Sequence, residues 1–136
     1  MGCTGSANAN VTAMGGPPGA NGDKPLVTVT GATGFLGCHT ILKFLEDGNF
    51  RVRGTVRSLT NQAKLQPLKD TLGAHAANLE LVEADLMDKE SLKKAIAGST
   101  YVAHTASPFF LNVSKAEKEK IIKPAVDGTV FALEAA

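Results

Sequence analysis

The stretch Thr30-Gly31-Ala32-Thr33-Gly34-Phe35-Leu36-Gly37 decides how the rest of the chain is read. Its glycines stand at offsets of three, directly after an apolar run from Leu26 to Thr30. Leu36, Ile41, Leu42, Phe44 and Leu45 follow at helical spacing, and Gly48 ends that run. The reading is strand, tight turn, helix. Glycines there allow the reversal, the approach of a diphosphate to bare backbone and close packing of helix on strand, while free N–H groups at the helix start supply positive potential. The diphosphate of a dinucleotide suits such a site. The strand before and the helix after are the context this mechanism requires. A turn kept glycine-rich for packing alone does not account for the spacing. A nucleoside-triphosphate loop is excluded, because that pattern ends in Gly-Lys-Ser/Thr and here Cys38 follows Gly37.

Beyond this unit the chain alternates. Arg51 to Val56 reads as a second strand, and Leu65, Leu68 and Leu72 lie at helical offsets, with Pro67 expected to delay or kink that helix. Leu79 to Ala84 is a third strand, after which Asp88 caps a short helix carrying Leu92, Ala95 and Ile96 on one face, closed by Gly98. Tyr101 to Thr105 is a fourth, leading through a Ser107-Pro108 turn to an amphipathic stretch with Ile122, Val126, Val130 and Leu133 on one side. The mixed charges from Lys115 to Lys120 read as the solvated start of this last helix. Such alternation implies right-handed crossovers and a parallel sheet with helices on both faces. The expected class is therefore α/β, a Rossmann-type doubly wound parallel sheet. About four strands stand where the full fold has about six, ordered 3-2-1-4-5-6, so the sheet is incomplete and its fourth strand is an open edge.

Composition narrows the partners. A length of 136 residues suits one domain, and a net charge of +1 offers no field to hold a nucleic acid. There is no continuous apolar run of membrane-spanning length and no secretory signal, so a cytoplasmic location is expected. Cys3 and Cys38 are too few and too far apart for a disulfide framework or a metal cluster. Residues 1–24, rich in Gly, Ala and Asn with Pro17-Pro18, read as a disordered leader, and 25–136 as the nucleotide-binding domain. The start, Met1-Gly2-Cys3-Thr4-Gly5-Ser6, fits an acylation pattern: myristoyl on Gly2 and palmitoyl on Cys3 would anchor the chain at the cytosolic face of a membrane. A plain leader is the alternative.

The type of dinucleotide is read from the window about 20 residues past the first glycine, where an NAD site carries an acid that binds the adenosine ribose. Arg51, Arg53 and Arg57 occupy it instead. Arg57, at the end of the second strand, is placed to meet a 2′-phosphate with a planar two-pronged donor, which favours NADP.

The turn, Val52-Arg53-Gly54-Thr55-Val56-Arg57, Ala84-Asp85-Leu86, Val102-Ala103-His104-Thr105-Ala106-Ser107-Pro108-Phe109 and Ile122-Lys123-Pro124-Ala125-Val126-Asp127-Gly128-Thr129 together resemble the extended short-chain dehydrogenase/reductase family, which is epimerase/dehydratase-like. Within it the likeness is to the dihydroflavonol reductase and cinnamoyl-CoA reductase group, over Pro25 to Ala136. The resemblance implies an NADP (NADPH) site. Gly31, Thr33, Gly34, Phe35, Leu36 and Gly37 would hold the diphosphate. Arg57 and Lys64, with Ser58 as a further donor, would take the 2′-phosphate, Asp85 and Leu86 would flank the adenine, and Thr105, Ala106 and Ser107 would pass under the nicotinamide ribose. It also implies a small-molecule carbonyl or alcohol as substrate.

The same resemblance identifies what is missing. The family's proton relay uses a Tyr, a Lys four residues on, and a Ser. The one tyrosine here, Tyr101, starts a strand and is followed four residues later by Thr105. In relatives the Tyr and Lys lie beyond the point where these residues end, so no catalytic residue is assigned. His104 reads as a core histidine and Cys38 as a packed small side chain. Two readings result: the NADP-binding part of a reductase interconverting a carbonyl and an alcohol, or a non-catalytic NADP-binding module or sensor.

Overall fold

The structure, a computed structural model, describes residues 11–13, 24–108 and 117–136. Its elements are β1 (Val11–Ala13), β2 (Leu26–Thr30), α1 (Phe35–Asp47), β3 (Arg51–Val56), α2 (Gln62–Leu72), β4 (Leu79–Glu83), α3 (Lys89–Ile96), β5 (Tyr101–His104) and α4 (Lys118–Ala135), with a 3-10 helix at Gly73–Asn78 before β4. One sheet runs in the order β1-β4-β3-β2-β5. β4, β3, β2 and β5 are mutually parallel, which is the expected 3-2-1-4 arrangement of an incomplete Rossmann-type sheet. All five residues of β2 are buried, as a central strand covered on both faces requires. Val27 pairs with Val52 on one side and Tyr101 on the other. Among the described residues β5 pairs with β2 alone.

The helices pack in two pairs, α1 with α2 and α3 with α4. The main core joins Val27, Val29, Ile41, Val52, Leu65, Leu68, Leu72, Leu79 and Leu81, and a smaller one joins Val82, Ala84, Leu92 and Ala95. Arg53 links the smaller half to the sheet. Its Nη1 donates to the carbonyls of Ala95 at 2.8 Å and Ala97 at 3.0 Å, at the end of α3, and its Nη2 lies 3.1 Å from Glu80 Oε1. A guanidinium there satisfies carbonyls that a helix end leaves without partners.

Four expectations need correction. β1 falls inside the stretch read as a disordered leader, pairing antiparallel with β4 from Val11–Val82 to Ala13–Glu80. The outer edge of β4 offers a row of unpaired N–H and C=O groups, and Val11-Thr12 are β-branched residues suited to fill it. α2 starts five residues ahead of Pro67, its Asn61 cap accepting from Lys64 N. Burial of Leu65, Leu68 and Leu72, at about 1.5–3 kcal/mol each, outweighs a cost of about 3 kcal/mol for an interior proline.

The third correction concerns α4. Ile122, Val126, Val130 and Leu133 lie on the side turned away from the fold, Leu133 being 72% exposed. The helix packs instead through Gly128 and Ala132, with Phe131 half-buried against the smaller core. The last concerns location. The reading of a cytoplasmic chain held at the cytosolic face of a membrane is withdrawn: among the described residues no helix is long and apolar enough to cross a membrane, and Gly2 and Cys3, on which the anchor depended, lie outside them.

Candidate functional site

The glycine turn sits at the carboxyl ends of β2, β3 and β5, where open α/β sheets bind their ligands. Gly31 has φ +74°, a left-handed conformation that favours glycine, and a Cβ built on it would stand 2.9 Å from Ala106 Cα. The turn is strapped to β3: Gly31 N donates to Thr55 Oγ1 at 3.2 Å and Ala32 N to Thr55 O at 2.9 Å. Gly34 N closes the loop onto Gly31 O at 3.0 Å. Gly37 is buried, and a Cβ there would overlap Gly31 O and approach Thr105 Oγ1 to 2.9 Å. Two of the three glycines are thus demanded by internal packing.

Gly34 is different. Its φ of −78° suits any residue, and a Cβ would meet only Gly31 O, at 3.3 Å. Bareness at this position leaves an open approach from outside to the start of α1. The first helical bond runs from Cys38 N to Gly34 O at 2.9 Å, so the N–H groups of Phe35, Leu36 and Gly37 have no acceptor among the described residues. No acidic residue in the first turn of α1 offsets its positive end. Phe35 and Leu36 are exposed beside these groups, Phe35 by 84%. Thr33 is exposed as well.

The three arginines of β3 separate by their surroundings. Arg53 is committed to α3 and Glu80. Arg51 stands at the start of β3, the end remote from the turn. Arg57 follows the last residue of β3, on the side of the turn, and its exposed guanidinium has no partner among the described residues. The Lys64 side chain, in the first turn of α2, is likewise exposed without a partner among them. Ser58 Oγ is paired with Thr60 Oγ1 at 2.9 Å.

Asp85 and Leu86 divide. Asp85 Oδ1 accepts from Met87 N at 2.8 Å, which engages one carboxylate oxygen in its own turn, while the residue remains exposed. Leu86 is half-buried and touches the smaller core, and a Cβ on Gly128 of α4 would collide with its side chain. Its contacts are those of a packing residue. Thr105 Oγ1 donates to Thr30 O at 2.6 Å, Ala106 lies under Gly31, and Ser107 is exposed at the rim.

Sequence reasoning passed over the buttresses of the turn. Thr30 and Thr55 are buried hydroxyls that hold it from β2 and β3. Gly54 lets α1 come down on the sheet, since a Cβ there would lie 2.9 Å from Ala32 Cβ and 3.1 Å from Ile41 Cδ1. A threonine in a strand is ordinary, so periodicity carried no signal for the first two. A glycine inside a strand pattern was the available signal for the third. A concavity of about 560 Å³ opens on the outer side of α1, between Leu36, Thr40, Phe44 and Phe50. It shares only Leu36 with the residues around the glycine turn.

The chain is 40% identical over 113 residues to dihydroflavonol 4-reductase of Zea mays, covering 83% of this chain and 31% of that protein. It is 44% identical over 110 residues to tetraketide alpha-pyrone reductase 1 of Arabidopsis thaliana, covering 81% and 33%. The chain therefore spans about a third of the length of the curated relatives it matches. Among solved structures, a variant of ElxO with NADPH bound superposes with a TM-score of 0.67 at 18% identity, over 82% of this chain and 48% of that one, a likeness of fold. The profile of the NAD dependent epimerase/dehydratase family matches residues 27–136. With that match over most of its length, the chain belongs to the NAD dependent epimerase/dehydratase family.

Proposed function

We propose that these residues form an NADP-binding unit. Three features make the fit: the bare approach at Gly34, and, without partners among the described residues, the N–H groups opening α1 and the Arg57 guanidinium and Lys64 ammonium at the rim. The turn residues Gly31, Thr33, Gly34, Phe35, Leu36 and Gly37 would cradle the diphosphate, and Arg57 with Lys64 the 2′-phosphate. Asp85 has one carboxylate oxygen left for the adenine amine, Leu86 would bear on it through its backbone, and Thr105, Ala106 and Ser107 would floor the nicotinamide ribose. The observation that carries the choice of NADP is the sorting of the arginines. Arg53 is consumed by α3 and Glu80, whereas Arg57, on the side of the turn, is uncommitted among the described residues.

The unit by itself is a binding module. Its single tyrosine, Tyr101, starts β5 and has Thr105, not lysine, four residues on. A second reading, favoured by the likeness to reductases, is that it serves a longer protein in which the bound dinucleotide exchanges a hydride with a small carbonyl or alcohol. Titration of the chain with NADPH and NADH, on wild type and Arg57→Ala, tests the first reading. Tighter binding of NADPH that the variant loses selectively is expected, and equal affinity for both nucleotides would overturn it. Sequencing the transcript past Ala136 tests the second: an in-frame Tyr-x-x-x-Lys is expected, and a stop codon refutes it.

A further inference from the structure

Thr30 Oγ1 is wholly buried and has three partners. It accepts from Thr105 N and from Ala106 N, each at 3.2 Å, and lies 2.8 Å from His104 Nδ1. A hydroxyl has one proton and two lone pairs. The two amides can only donate, so they take both lone pairs, and the hydroxyl proton goes to Nδ1. That makes Nδ1 an acceptor and leaves the imidazole neutral with its proton on Nε2. Burial acts in the same direction, holding His104 below the ordinary histidine range. The bonds tie the end of β5 to the end of β2, and Ala106, held this way, is the residue on which Gly31 is seated.

We propose that His104 is a positioning residue of the nucleotide site: in its neutral form it orients the Thr30 hydroxyl and so fixes Ala106 beneath the first glycine of the phosphate turn. This rests on the nucleotide-binding reading above. A proton on Nδ1 would leave Thr30 Oγ1 facing three donors with two lone pairs, and one amide contact would open. Because the folded state holds the neutral form, the stabilisation is complete above the ordinary histidine range and is lost as pH falls toward the lowered value.

Among the described residues no other charge supplies this switch. β2 has no titratable residue, and Tyr101 lies at the far end of β5. On α1, His39 bonds Phe35 O, Lys43 pairs with Glu46, and Asp47 accepts from Asn49. Lys123 and Asp127 of α4 pair with each other, and no charged group among the described residues joins burial in shifting His104.

The test uses nitrogen NMR of the whole chain with NADP titrations from pH 8 to pH 5. A protonated Nε2 and bare Nδ1 are expected at pH 7.5, with the Gly31 and Ala106 amide signals moving as His104 takes up a proton. Wild-type affinity is expected to fall about tenfold on acidification beyond the fall of His104→Asn, whose carbonyl can accept from Thr30. The comparison is needed because the 2′-phosphate of the nucleotide also titrates in this range. His104→Leu, with no acceptor, should bind weakly at every pH. A proton on Nδ1 at pH 7.5, or a His104→Leu chain that binds like wild type, overturns the proposal. If His104→Leu does not fold, the wild-type nitrogen and amide signals still decide. A wild-type chain that shows the expected tautomer but binds no nucleotide refutes the nucleotide reading, and the positioning role falls with it. A chain that binds while Gly31 and Ala106 ignore the titration refutes the positioning role alone.

Discussion

The turn between β2 and α1 and the helix α4 both carry an apolar-and-glycine pattern, yet their side chains meet opposite fates. At the turn, Gly31 and Gly37 are packed so closely that a single added carbon collides with Ala106 or with the turn itself. In α4, four large apolar residues face outward while a glycine and an alanine make the buried contacts. The difference shows what pattern can and cannot convey. A glycine triplet encodes a backbone path, which local sterics enforce. An apolar stripe states only that a helix has two sides, and either can be turned inward when small residues let it approach closely.

The contrast is most sharply broken at Gly31. Gly31→Ala adds left-handed strain of about 1–2 kcal/mol and overpacking of about 1–3 kcal/mol, so a loss of roughly 3 kcal/mol is expected in urea unfolding. A loss below about 1 kcal/mol would show that the turn is not held against β5 as described. The counterpart in α4 is Gly128→Val, whose branches would enter the space of Leu86; a loss of about 1–3 kcal/mol is expected in the same unfolding assay.

Arg57→Ala should leave unfolding unchanged, because the side chain has no partner among the described residues, and should weaken NADPH binding about tenfold or more without touching NADH. A drop in melting temperature would place Arg57 in the structure rather than at the rim. The smallest effect belongs to the outward stripe. Leu133→Gln is expected to change stability by less than about 0.5 kcal/mol, and a large loss in the same denaturation assay would mean that this face is covered in solution.

Legibility followed the same division. β2 and β3 were readable to the residue, because alternation with flanking Gly and a buried run of β-branched residues leave few other conformations. The start of α2 was not: Pro67 argued against it locally, and only the burial of Leu65, Leu68 and Leu72 against one core overrides that. Around the candidate site, the glycine turn and the place of Arg57 just after the second strand of the parallel order were legible from spacing. Thr30, Thr55 and His104 were not, since nothing in a strand pattern distinguishes a buried hydroxyl that holds a turn from one that fills space.

By itself the sequence determined the strand-turn-helix unit and the parallel order of the strands, because these depend on local backbone sterics and handed crossovers. Only the tertiary structure decided that Arg53 belongs to α3 and Arg57 to no partner among the described residues, that Leu86 packs against Gly128, and that α4 turns its large residues outward. Each of these depends on which surfaces meet across long stretches of chain, and periodicity records the spacing of side chains but not the partner they find.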